Sequence, residues 1–245
     1  MESRSARPAA SHAALALALL ALALAPDPAA AQVTAGQVDT FEDGTTNGWT
    51  VGLGPGGGGS PVPPVNVPTG GPGGDGDAFM RLTAIGGDGP GSRLSALNIG
   101  NQWAGDYLAA GVTHIRMDAI NLGSTEIFLR IMVADPIPGP PVNVAFSFTP
   151  IVLPPGSGWQ SIAFPLFGPD GLVAVEGTLE GALANATELR IFHNVEFAFT
   201  PSPVVATLGV DNITAAVVPE PGTFLLLCSG LLVLVLLRNH PRLKR

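Results

Sequence analysis

From residue 38 onward, runs of five to nine residues rich in Val, Ile, Phe and Thr recur between Gly, Pro, Asn and Asp. No amphipathic stretch in this region is long enough for a core helix. The runs predict strands over Val38 to Glu42, Trp49 to Leu53, Ala78 to Ile85, Ser92 to Ile99, Thr113 to Asn121, Ile127 to Ala134, Val142 to Phe148, Gln160 to Pro165, Glu188 to Asn194 and Leu208 to Ala215. Short strands in that number, each with an apolar face to cover, point to an all-β fold of two packed sheets.

Alternation supports this reading. In Thr113 to Ala119, the residues Ile115, Met117 and Ala119 share a face with Thr113, while His114, Arg116 and Asp118 share the other. That is a strand with one face in water. Ile127 to Val133 is more uniformly apolar and belongs nearer a sheet centre. Gly52 to Gly76 is dominated by Gly and Pro, lacks the apolar content to order itself by burial, and reads as a mobile excursion between strands. Pro136 to Pro141 is a proline-stiffened connection, and Leu172 to Ala186 is the place for a short helix or turn.

Both ends stand apart from the fold. Arg4 and Arg7, the Ala/Leu run Ala13 to Ala25 and the small residues Ala29-Ala30-Ala31 have the order of a secretory signal peptide over residues 1–31. That apolar run is well short of the roughly 20 residues needed to span a bilayer. Residues 32–217 are then expected to form the extracellular β-sandwich domain, and residues 218–245 a separate tail.

Between Gln32 and Glu220 there are five arginines, no lysine and seventeen acidic residues. This excess argues against nucleic acid or anionic lipid as a partner, since phosphate binding needs clustered Lys and Arg. It suits solubility outside the cell, with room for a calcium site. The single cysteine, Cys228, lies in the C-terminal apolar run, so the domain must hold together without a disulfide and has no thiolate zinc cluster.

Catalytic motifs are weak. Gly52-Leu53-Gly54-Pro55-Gly56-Gly57 has dinucleotide-loop spacing, but no βαβ unit follows it. Gly70 to Asp75 begins like a calcium-binding nonapeptide and occurs once, where a stacked array needs repeats. There is no HExxH, Gly-x-Ser-x-Gly or P-loop. His114 and His193, each in a predicted strand, read as structural. Paired carboxylates could serve glycoside hydrolysis, but sequence spacing nominates no pair.

Phe41-Glu42-Asp43-Gly44-Thr45-Thr46-Asn47-Gly48-Trp49 near the start and Leu208-Gly209-Val210-Asp211-Asn212-Ile213 near the end resemble the first and last strands of carbohydrate-binding modules and galactose-binding-like domains. The resemblance implies a two-sheet jelly-roll sandwich with those strands adjacent. It also implies a structural calcium ion held by Glu42, Asp211 and the Gly44 carbonyl; calcium accepts several hard oxygen ligands in irregular geometry. Asn101 to Val112, with Trp103-Ala104-Gly105-Asp106-Tyr107, resembles a segment of laminin-B-like extracellular β domains in which these residues shape a turn. As an alternative, Trp49, Trp103 or Tyr107 would stack on a sugar ring if exposed. Trp159 is expected in the core.

The tail resembles the PEP-CTERM sorting signal of Gram-negative bacteria in all three of its parts: Val218-Pro219-Glu220-Pro221, an apolar segment expected as a transmembrane helix over about 222–237, and the basic residues Arg238, Arg242, Lys244 and Arg245. Pro219 and Pro221 keep the backbone extended ahead of the membrane, and the basic end holds the tail on the cytoplasmic side. The resemblance implies cutting by an exosortase near the motif, so that the inner-membrane anchor is temporary. The expected protein is a non-enzymatic binding or structural component of the cell surface or an exopolysaccharide matrix, with polysaccharide as a partner. A glycoside hydrolase or lyase on the same scaffold, or a permanently anchored single-pass protein, is the alternative.

Overall fold

The computed structural model describes residues 32–51, 62–87, 92–135 and 140–217. The expected signal peptide, sorting motif, transmembrane segment and basic tail lie outside the described residues, as does the 52–61 part of the glycine-rich loop. Among the described residues no helix is long and apolar enough to cross a membrane.

In chain order the elements are β1 (Val38–Asp39), β2 (Val65–Val67), β3 (Phe79–Ile85), β4 (Ser95–Asn98), a 3-10 turn (Asn101–Trp103), β5 (His114–Asn121), β6 (Ile127–Asp135), β7 (Asn143–Ser147), β8 (Ile151–Leu153), β9 (Gln160–Pro165), β10 (Leu172–Glu176), α1 (Leu179–Ala184), β11 (Glu188–His193) and β12 (Val205–Ala216). Sheet I runs β2-β3-β12-β5-β9, with β1 also on β12; sheet II runs β10-β7-β6-β11-β4, with β8 also on β6. All pairings are antiparallel. The chain passes repeatedly between the sheets, β3 to β4 to β5 to β6 and β9 to β10, which makes a jelly-roll sandwich. Among the described residues, both sheets and their shared core lie within residues 32–217.

Alternation decides which side chains meet between the layers. On β5, Ile115, Met117 and Ala119 point inward and are buried, while Arg116 is exposed. They meet Ile127, Leu129, Ile131 and Val133 of β6 and Leu208 and Val210 of β12 in one core. Each such aliphatic side chain contributes about 1.5–3 kcal/mol of burial. β6 is covered on both faces, as its uniform apolarity predicts: Met132 and Ala134 turn outward into a second cluster with Val144, Phe146 and Phe192.

Three expectations need correction. Residues 62–76 are ordered, because Val65–Val67 pairs with β3 as strand β2 and residues 70–77 fold into a turn around Asp77. The Asp77 carboxylate accepts from the Gly73 amide, and a Cβ on Gly71 would meet that carboxylate at 2.5 Å. Glycine here permits close packing, where composition suggested mobility. In the described part of the stretch predicted over Trp49 to Leu53, residues 49–51, Thr50 forms a single bridge to Leu97 and Trp49 is buried in the core. Leu172 to Ala186 opens with strand β10 before the six-residue helix α1. Thr178 caps α1, and Gly181 is there because a Cβ would meet Asn143 Oδ1 at 2.4 Å.

Candidate functional site

β12 pairs regularly with β5 as far as Asp211, and the register then shifts between Asp211 and Thr214. The bulge places Asn212 at φ +52°, a left-handed conformation that asparagine tolerates better than most residues. Asp211 lies on the outer face of sheet I yet is 1% exposed. Its Oδ1 accepts from the Asn212 amide at 2.7 Å and its Oδ2 from Asn212 Nδ2 at 3.2 Å. Asn212 Nδ2 also donates to Asp118 Oδ2 at 2.9 Å, joining β12 to β5. Burial, followed by the nearby carboxylates of Asp77, Asp118 and Glu42, pushes the Asp211 carboxyl up to about 7. The charges of Asp77, Asp118 and Glu42 thus bear on Asp211, which accepts hydrogen bonds from Asn212.

The early strand reaches the same corner through a second backbone irregularity. Phe41 is fully buried at φ +59°, an uncommon conformation for a bulky residue. It is held there by its carbonyl, which accepts from Asn66 Nδ2 at 2.7 Å and from the Gly44 amide at 3.2 Å. The next residue, Glu42, is exposed, and its Oε1 accepts from the Ala78 amide at 2.9 Å, beside Asp77. Gly44, at φ +79°, turns the chain, and a Cβ there would meet nothing within 4 Å. The structure therefore brings Glu42 and Asp211 into one electrostatic neighbourhood. Among the described residues, no three acidic, histidine or cysteine side chains form a metal-ligating group.

The aromatic candidates sit elsewhere. Trp49 is 2% exposed, and Trp103 and Tyr107 are fully buried, so none has a face to offer a ligand. The cause is Asp39, whose Oδ2 accepts from Trp49 Nε1 at 2.7 Å and Trp103 Nε1 at 2.8 Å and pulls both indoles inward. Burial raises Asp39 above its ordinary value against those two hydrogen bonds. Tyr107 donates to the Trp103 carbonyl at 2.9 Å. Trp159, expected in the core, is instead partly exposed on the outer face of sheet I.

The two histidines are tied into the sheets. His193 is buried and its Nδ1 accepts from the Phe128 amide at 3.0 Å; burial and then Arg130 lower its pKa. His114 Nδ1 lies 2.9 Å from Thr113 Oγ1, and burial, then Arg116, lower it likewise. Sequence reasoning missed Asp77, Asp118 and Asn212 at the acidic corner. Asp118 was visible as a polar-face residue of its strand, but nothing local told that this face would meet β12 at a bulge.

A family model for the PEP-CTERM protein-sorting motif matches residues 217–239. A comparison with curated proteins finds no match. Among solved structures, a family 11 carbohydrate-binding module from Clostridium thermocellum, in complex with a beta-1,3-1,4-mixed-linked tetrasaccharide, is 17% identical with a TM-score of 0.48, over 76% of this chain and 97% of that one. An exo-beta-agarase is 13% identical with a TM-score of 0.48, over 74% of this chain and 24% of that one. A tandem pair of family 22 carbohydrate-binding modules from Paenibacillus barcinonensis Xyn10C is 15% identical with a TM-score of 0.42, over 76% of this chain and 49% of that one. The firm identification is in the tail: starting just after the last strand of its jelly-roll sandwich, this chain carries a PEP-CTERM protein-sorting motif at residues 217–239.

Proposed function

We propose that the chain is exported across the inner membrane of a Gram-negative bacterium, processed by an exosortase, and delivered to the envelope, cell surface or extracellular matrix as a non-enzymatic, polysaccharide-binding β-sandwich. The observation that carries this reading is the sorting motif directly beyond β12. By sequence, Pro219 and Pro221 disfavour helix at the motif, which suits recognition by a processing enzyme, and the apolar run with Arg238, Arg242, Lys244 and Arg245 suits a tail held in the membrane until it is cut. A domain without cysteine or lysine and rich in carboxylates suits an extracellular position among other polyanions.

Within this reading, calcium braces the acidic corner. Glu42 and Asp211 supply carboxylate oxygens and Gly44 a carbonyl, with water completing the shell. Charge alone supports this: three more carboxylates act on Asp211, and a cation there would compete with Asn212 for the Asp211 oxygens. Strained Phe41 and bulged Asn212 flank the corner in the first and last parts of the fold.

The sorting claim is tested with a C-terminal tag on the full chain. The tag should be lost in cells that carry an exosortase and kept in cells that lack one. Full-length tagged protein persisting in the inner membrane of both would make the tail a permanent anchor.

A hydrolase is the second reading, favoured by one observation: a carboxyl near 7 beside Asp118 is the pairing a glycosidase needs. Against it, Asp211 is buried and both its oxygens are taken by Asn212. Release of reducing ends from a polysaccharide, abolished by Asp211→Asn, would favour the enzyme.

A further inference from the structure

We propose that the outer face of sheet I is the polysaccharide site, with Trp159 as the stacking plate, Asp118 and Arg116 as the polar contacts, and a neutral glycan as the ligand. This inference rests on the polysaccharide-binding reading above and names the place where binding occurs.

Trp159 is the one tryptophan of three that is not buried. It is fixed from several sides. Its Nε1 donates to the Gly70 carbonyl at 3.0 Å, and its ring meets Phe79 edge-on at 5.3 Å between centroids. Beneath it the strand is bare: a Cβ on Gly209 would lie 3.1 Å from Trp159 Cη2, 3.2 Å from Phe79 Cδ2 and 2.6 Å from Ile120 Cγ2. An indole ordered before binding loses little rotamer freedom when a ligand arrives. Its face suits the apolar C–H side of a sugar ring.

The polar half of the site continues along the same face. Ser161, two residues on, pairs in register with Asp118. Arg116, Asp118, Ser161, Asn212 and Thr214 together line a depression of about 310 Å³, opened where β12 bulges away from its register with β5. Asn212 Nδ2 holds Asp118 Oδ2 and so fixes that carboxylate, while Arg116 stands exposed on the same strand. A guanidinium fork and a carboxylate offer donors and acceptors to neighbouring sugar hydroxyls. The Asp118 carboxylate in the depression, in a region with seventeen acidic residues against five arginines between Gln32 and Glu220, disfavours acidic chains and selects neutral ones. On the other sheet, exposed Phe148 and Phe197 rest on each other at 5.0 Å between ring centroids.

The test is titration of the domain, residues 32–217, with neutral β-glucan, xylan and mannan hexasaccharides, with polygalacturonate as the acidic control. Binding of at least one neutral glycan is expected, with a change in tryptophan emission. Trp159→Ala should weaken it at least about ten-fold and Arg116→Ala, at an exposed position, about three-fold or more. If Trp159→Ala lowers the melting temperature, Trp159→Phe and Arg116→Ala decide. Variants that bind as tightly as the parent would move the site elsewhere and leave polysaccharide binding standing. No binding of any neutral glycan by the parent domain would remove both, and tight binding of polygalacturonate would overturn the ligand class.

Discussion

Two charged residues occupy matching places in this molecule, and their surroundings differ. Arg130 and Asp211 each lie on the outer face of a central strand, β6 in sheet II and β12 in sheet I, and each is at most 2% exposed. Arg130 is satisfied by main-chain carbonyls: Nε donates to Asn194 at 3.0 Å, Nη1 to Ser147 at 2.7 Å and to Phe148, and Nη2 to Val195 at 3.4 Å. It staples the β7–β8 turn and the β11–β12 loop over the sheet. That loop is braced further by Asn194, which donates to the Ala198 and Thr200 carbonyls and accepts from the Glu196 amide and Ser202 hydroxyl. Asp211 has one neighbouring residue donating to it and three carboxylates around it. A buried charge whose partners are all supplied is structural, whereas one left with like charges is where a cation or a function belongs.

The largest effect should follow from breaking the arginine side. Arg130→Met leaves the carbonyls of Ser147, Phe148, Asn194 and Val195 without their donor, and should cost about 3–5 kcal/mol in denaturant unfolding. Proteolysis within residues 194–202 should then precede global unfolding. A loss below about 1 kcal/mol would mean that water replaces the guanidinium and that the contrast is overstated.

On the aspartate side, removal of calcium with EDTA should lower the melting temperature of the domain by about 5 °C or more, as expected when a bound cation adds about 2.7 kcal/mol. Glu42→Gln should abolish that sensitivity. An unchanged melting temperature in EDTA would end the calcium proposal.

The pH dependence of the metal-free domain sharpens the comparison. Asp211 titrates near 7 in the fold against an ordinary 3.8, so between those values the folded state holds more protons than the unfolded chain. The stability it contributes is full below about pH 4, falls as pH rises to about 7, and is flat above. Melting in EDTA should therefore drop by a few degrees between pH 5 and pH 7.5, and Asp211→Asn should remove that drop. An equal slope in the variant would assign it to another group.

The smallest effect concerns packing beside the corner. Gly209→Ala places a Cβ 2.6 Å from Ile120 Cγ2 and 3.1 Å from Trp159 Cη2. It should cost about 1–2 kcal/mol, with a change in Trp159 emission. Wild-type stability and emission together would show that the ring is free to shift.

Legibility followed range. Gln160 to Pro165 is a strand with the bounds its alternation predicts, and Ile115, Met117 and Ala119 are buried as their spacing requires. β10 was obscured because Leu172 to Glu176 stands against Gly171 and Gly177 and shares its stretch with a helix. β2 was hidden because its three residues sit amid Gly and Pro and depend on pairing with β3. Trp49, Trp103 and Trp159 carry the same side chain and no local mark of exposure. Asp39 draws the first two inward, and it lies ten and sixty-four residues away from them in the chain.

By itself the sequence determined the all-β class, the inward faces of the main strands and the sorting tail. These rest on alternation and on contiguous motifs, which are properties of neighbours in the chain. Only the tertiary structure decided which aromatic ring stays in solvent, which carboxylates share a corner, and that Asp118 meets Asn212 across a bulge. Those outcomes depend on register between strands far apart in sequence, where a shift of one residue would turn each side chain to the opposite face.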